Sequence, residues 1–188
     1  MVKPEIRVLG VDDGAFEPRS GGYAMVVGVV FRGGCWLDGF MHTEIKVDGL
    51  DAGEKIANMI LKSSHHKQLR IVMLNGVTFA GFNVVDIKKL KEATGLPVIA
   101  VTRDKPDRKS IKEALNNLPR SEERWKAMQS GGKTHAVQTR SSAAKIYVQV
   151  AGISLEDAAK ILRLTSTRSD VPEALRVAHI IASGLTTT

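Results

Sequence analysis

Apolar positions along the chain follow two rhythms. The first fifty residues read as extended segments. Glu5 to Asp12 is a short, mostly apolar run, as expected of a strand buried on both faces. Asp13 to Gly22 is a loop rich in Gly, Pro and Ser. Tyr23 to Arg32 is β-rich and ends at Gly33-Gly34, a tight turn. Cys35 to Val47 is a third extended run, so the opening reads as an antiparallel meander. From Asp51 to Ser63 the spacing of Ile56, Met59 and Ile60 is helical, with Asp51 as cap and Glu54 in the capping-box position. Leu69 to Leu74 and Pro97 to Thr102 are buried-type strands. Between them Asn83 to Thr94 predicts a helix, capped by Asn83 and stopped by Gly95 and Pro97. Helices follow at Asp107 to Asn116, capped by Asp107, and at Ser121 to Gln129, capped by Ser121. Thr134 to Thr139 and Lys145 to Val150 predict a small hairpin. Two last helices run from Ser154 to Leu164 and from Pro172 to Gly184.

This order predicts an α/β fold: a mixed, five-stranded sheet in which a meander is followed by parallel crossovers, with flanking helices and a helical C-terminal part. Strand one is central and strand four lies parallel beside it, the architecture of ribonuclease H-like folds. No repeat or linker divides the chain, so residues 1–188 are read as one domain. The longest apolar stretches, such as Met25 to Phe31, fall far short of the roughly 18 residues that span a bilayer. The first residues run straight into a strand rather than a signal peptide, and the one cysteine, Cys35, excludes an intramolecular disulfide. A cytoplasmic protein with no membrane partner is expected.

Charge changes the picture. The net charge is +7, and between Arg103 and Lys145 eleven Lys/Arg stand against five Asp/Glu. That excess suits a polyanionic partner, nucleic acid first, although a solvated basic face gives the same composition.

Sites in open α/β sheets form beyond the carboxyl ends of strands where the connections change direction. Here that is the crevice between Asp12-Asp13-Gly14 and Asn75-Gly76. Paired carboxylates there suit a hard cation, and an Asp-Asp-Gly turn suits the same residues. Asp48, Asp51 and Glu54 form a second acidic group, already explained in part as helix caps. His65-His66 reads as a helix end, and His42, His135 and His179 as isolated. Ala127 to Thr134 imitates a phosphate loop but follows a helix instead of a strand.

Three strings then carry a resemblance: Gly10-Val11-Asp12-Asp13-Gly14, Val47-Asp48-Gly49-Leu50-Asp51-Ala52, and Leu74-Asn75-Gly76-Val77-Thr78-Phe79-Ala80-Gly81-Phe82-Asn83-Val84-Val85-Asp86. Thr94-Gly95-Leu96-Pro97, Pro106-Asp107 and Pro172 to His179 extend it over nearly the whole chain. Together they resemble the archaeal family known as domain of unknown function 99, which is distantly similar to endonuclease V. The resemblance implies a ribonuclease H-like fold and Mg²⁺- or Mn²⁺-dependent cleavage of deaminated nucleic acid, uracil-containing DNA ahead of RNA. It makes Asp12 the strand-one metal ligand. Asp51 or Glu54 falls near the glutamate ligand, and Asn75 where endonuclease V carries a second metal aspartate. Gly81 stands near the place of a histidine, and Arg103 or Lys105 near that of a lysine. Asn75 lacks the charge of an aspartate, which keeps open an alternative: a non-catalytic nucleic-acid-binding module on the same scaffold.

Overall fold

The computed structural model describes residues 3–140 and 144–186. Among the described residues nine strands and six α-helices follow one another: β1 (Arg7–Asp13), β2 (Tyr23–Arg32), β3 (Trp36–Lys46), α1 (Ala52–Lys62), β4 (Ile71–Asn75), β5 (Thr78–Phe79), β6 (Asn83–Val84), α2 (Ile87–Thr94), β7 (Val98–Thr102), α3 (Arg108–Leu115), α4 (Ser121–Gln129), β8 (His135–Val137), β9 (Ile146–Ala151), α5 (Leu155–Thr165) and α6 (Glu173–Thr186). The main sheet has the order β3-β2-β1-β4-β7-β9-β8. β1 is antiparallel to β2 and parallel to β4, and β4 is parallel to β7. The expected meander, central first strand and parallel crossovers are therefore present. The sheet has seven strands rather than five, because the β8–β9 hairpin adds to it antiparallel along β7.

Alternation along the strands divides the core in two. Leu9, Val11, Leu74 and Ala100 face one side and pack with Ile56 and Ile60 of α1 and Leu90 of α2. Val8, Met73, Ile99 and Val101 face the other side, where Ala158 and Leu162 of α5 and Ala174, Ala178 and Ala182 of α6 cover them. The three alanines recur every fourth residue and give α6 a smooth face. Gly10 completes the fit: a Cβ there would lie 2.3 Å from the backbone carbon of Ala174. A glycine inside a buried strand marks this kind of close backbone approach.

Local expectations hold where capping is short-range. Asp107 accepts from the backbone N–H groups of Lys109 and Ser110, and Ser154 from that of Asp157. They fail where partners come from afar. Asp51 makes no cap bond to α1; its carboxylate accepts from the Lys46 N–H and from Asn83 Nδ2. Asn83 is in β6 and caps no helix of its own. Its Oδ1 accepts from the Ala52 N–H at 2.9 Å, satisfying the start of α1 from a distant hairpin. Asp86 caps α2 instead. α4 begins after Arg120, in a left-handed conformation, with Ser121 already inside the helix.

The Gly10 contact generates a test. Gly10→Ala inserts a methyl group against backbone that cannot turn aside. It is expected to cost about 2 kcal/mol and to lower Tm by roughly 5 °C, measured by thermal unfolding; an unchanged Tm contradicts the close approach.

Candidate active site

At the carboxyl end of β1 successive residues point to opposite sides of the sheet. Asp12 faces α6 and is 2% exposed. A carboxylate buried this far needs donors, since an unpaired charge is costly away from water. It has three. Oδ1 accepts from the Asp13 N–H at 2.9 Å. Oδ2 accepts from Asn75 Nδ2 at 2.9 Å and pairs with His179 Nδ1 at 2.9 Å. Asn75 comes from the end of β4, the parallel neighbour of β1, and His179 from the middle of α6. Burial nonetheless dominates and raises the Asp12 pKa, the bonds from Asn75 and Asp13 and the His179 charge opposing it.

Asp13 faces the other side, where Oδ2 accepts from the Ala80 N–H at 2.7 Å. Burial, reinforced by the Asp12 charge, pushes its carboxyl up to about 6. The crevice opens from Asn75 and His179 into a cavity of about 240 Å³ that Arg103 and Arg176 also line.

The structure thus brings Asp12, Asn75 and Arg103 to one place. Asp51 is spent on the Lys46 N–H and on Asn83. Glu54 borders a different cavity, between α1, α2 and α4. Lys105 is exposed in the β7–α3 loop. Among the described residues no three His, Cys, Asp or Glu side chains form a metal-binding group. Gly81 has φ +87°, and a Cβ there would lie 2.3 Å from Asp48 Oδ1, so a histidine at that position would be strained and would displace the Asp48 carboxylate. The imidazole of the site is His179, which the sequence leaves looking isolated. Its signal lay in combination: a helix started by Pro172, an alanine stripe beside the histidine, and Gly10 opposite.

Asp12 and Asn75 are the two side chains here that could hold a Mg²⁺ or Mn²⁺ ion, which takes one or two protein oxygens and completes its shell with water and phosphate. With a single carboxylate in the set, the site is expected to be weak.

A second cavity lies back to back with the first. Asn75 and Arg103 border the crevice, while their chain neighbours Gly76 and Thr102 border a cavity of about 110 Å³ on the opposite side, walled by Trp125 of α4 and by Tyr147 and Gln149 of β9. Gln149 Nε2 donates to the Gly132 and Met128 carbonyls at 3.0 and 3.3 Å, which fixes Oε1 as the acceptor end of the amide. The α4 wall is fixed by Arg124, 2% exposed, whose guanidinium donates to the carbonyls of Asp48, Gly49, Phe82 and Pro119.

The raised Asp13 pKa has a stability consequence. An unfolded aspartate titrates near 3.9, the folded one at about 6. The native state holds the extra proton, so its contribution is full below about pH 4 and is lost as pH rises through about 6. Asp13→Asn keeps an acceptor for the Ala80 N–H and removes the titration. Its Tm is expected to match the wild type at pH 4 and exceed it at pH 7 to 8; a gap that does not change with pH contradicts this.

Comparison with known proteins gives the family and the fold. A family model described as Endonuclease dU matches residues 4–186. A UPF0215 protein of Methanopyrus kandleri is 53% identical over 98% of this chain and 93% of its own length. The crystal structure of a protein of unknown function from Archaeoglobus fulgidus superposes with a TM-score of 0.87 at 36% identity, over 97% of this chain and 99% of that one. Endonuclease V of Ciona intestinalis, in complex with a DNA containing an inosine followed by a ribo-adenosine, matches at a TM-score of 0.60 and 17% identity, over 92% and 82% of the two chains. The fold is ribonuclease H-like, and the chain belongs to the Endonuclease dU family.

Proposed function

We propose that the protein is a divalent-metal-dependent endonuclease that acts on deaminated nucleic acid, uracil-containing DNA first. The observation that carries this reading is the buried Asp12 carboxylate at the end of β1, held by Asn75 from the end of the parallel β4 and by His179 of α6, two residues that line a cavity together with Arg103 and Arg176. Asp12 and Asn75 would hold Mg²⁺ or Mn²⁺, which when bound lowers the pKa of water and neutralises charge developing on phosphate. His179 has Nδ1 on Asp12, so Nε2 is the nitrogen free to take or return a proton. Arg103 holds the phosphate by charge. The Asp12–His179 pair keeps the ring oriented, as a carboxylate does behind a catalytic imidazole.

The cavity beneath Trp125 supports the lesion class. An enzyme that reads one base within a strand extrudes it into a pocket with an aromatic wall and contacts to its pairing edge. Uracil and hypoxanthine each carry a ring N–H next to a carbonyl; cytosine and adenine present a ring nitrogen acceptor there. Gln149 Oε1, an acceptor whose amide is held by two backbone carbonyls, matches the deaminated pair. A strand crossing the ends of β4 and β7 would place a phosphate at the crevice and a base in this cavity.

Asn75 favours one second reading, a binding module without turnover, because a neutral amide contributes little to a hard-cation site. One experiment separates the two. Asn75→Asp adds a carboxylate beside Asp12 at almost constant volume. It is expected to tighten Mn²⁺ binding by calorimetry, to raise nicking of a uracil-containing strand, and to lower the metal-free Tm through repulsion with Asp12. In the same assay Gln149→Leu is expected to erase the preference for uracil over cytosine. Unchanged metal binding and no nicking by wild type or Asn75→Asp leave the binding module.

A further inference from the structure

Glu173 is a buried acid that the proposed chemistry does not use. It sits in the first turn of α6 at 2% exposure. Its Oε2 accepts both Nε and Nη2 of Arg176, at 3.0 and 2.7 Å, and its Oε1 accepts the Arg168 backbone N–H at 3.2 Å. Glu173 is buried while the Arg176 side chain stays 32% exposed, and replacing such an ion pair by apolar side chains is often neutral or stabilising, so the pair is weak as a stabilising device. It does hold a guanidinium in one orientation. Five N–H donors are available to an arginine, and Glu173 occupies one edge of the fork. Arg176 is three residues before His179, hence on the same face of α6, and both border the crevice cavity.

That cavity does not end at Arg103. A second one of about 260 Å³ shares Arg103 and Val171 with it and continues to Lys145 and Ser169, with Asp170 also in its lining. Three cations therefore follow one another away from Asp12 along the groove between α6 and the start of β9: Arg176, Arg103 and Lys145. Most of the basic side chains between Arg103 and Lys145 lie elsewhere, on α3, α4 and their flanking loops, where all five acids of that stretch also lie.

We infer that this groove is the track for the phosphates flanking the cleaved one, and that Glu173 is a positioning residue that fixes the Arg176 fork on the first of them. The inference rests on the crevice being a nucleic-acid site. Charge alone and orientation make opposite forecasts for Glu173→Gln. Removing a negative charge beside a phosphate path tightens binding if only the field matters. It weakens binding if the acid is there to hold the fork.

The test is binding of a fluorescent uracil-containing single strand in EDTA, as a function of salt, with Tm measured alongside. Glu173→Gln is expected to bind more weakly than wild type in spite of its extra positive charge. Arg176→Lys, which keeps the charge and loses the fork, is expected to weaken binding roughly tenfold with the salt slope unchanged. Lys145→Ala is expected to reduce the slope of log affinity against log salt by about 0.7, the value per phosphate contact on a single strand. Lys109→Ala, on α3, is expected to leave it alone. Tighter or equal binding by Glu173→Gln, wild-type affinity in Arg176→Lys, or a slope that falls for Lys109→Ala and not for Lys145→Ala overturns the inference. Metal-dependent nicking is read separately. A wild type that binds in this pattern and never nicks refutes the nuclease reading and leaves the groove standing, whereas absence of salt-sensitive binding refutes both.

Discussion

The near-contact of α6 with β1 is the constraint from which the site follows. Gly10 gives up its side chain so that the Ala174 backbone can lie where a Cβ would be, and Ala178 and Ala182 continue the same close packing. At that separation His179 reaches the end of β1 and meets Asp12 at 2.9 Å. A bulkier seam would hold the helix farther out, and Asp12 would lose a partner. The first turn of the same helix sets Arg176 through Glu173. One packing contact thus places at the crevice two side chains that are far from Asp12 in sequence.

Electrostatics at the strand ends then follow from burial. Asp12 and Asp13 are adjacent acids pointing to opposite sides, and each is pushed toward protonation by loss of water. Among the described residues neither has a Lys or Arg bonded to it; their partners are an amide, an imidazole and backbone N–H groups. A fold optimised only for stability has little use for such a pair. Strained or desolvated charge concentrated in a cleft is a signature of functional sites. Arg124 is the opposite case, a buried cation whose work is structural. It ties the Asp48-Gly49 loop, the β5–β6 hairpin and the turn before α4 together through four carbonyls, and so fixes the wall that carries Trp125.

The sequence made the frame legible because its signals are local. Apolar runs, the change of period after Val47 and the cap at Asp107 are each read within a few residues. Asp12 and Asn75 were also accessible, as strand-end polar groups at the point where the sheet changes direction. What escaped was non-local. Asp51 and Glu54 satisfy a capping rule on paper, yet Asp51 turns to Asn83, and Asn83 caps α1 from thirty-one residues away. His179 stood alone until α6 was laid on Gly10. The two extra strands, β8 and β9, were expected as a separate hairpin, because nothing in their own pattern says that β9 pairs with β7.

The central claim is that the Asp12 carboxylate, between Asn75 and His179, is the reacting centre and not a turn anchor. The most direct measurement is incision of a uracil-containing strand with Mn²⁺ by wild type and by Asp12→Asn, with Tm recorded for both. The account predicts that Asp12→Asn abolishes incision while Tm stays the same or rises, since the substitution relieves a buried charge beside Asp13. Equal incision by both proteins, or a large fall in Tm, would contradict it.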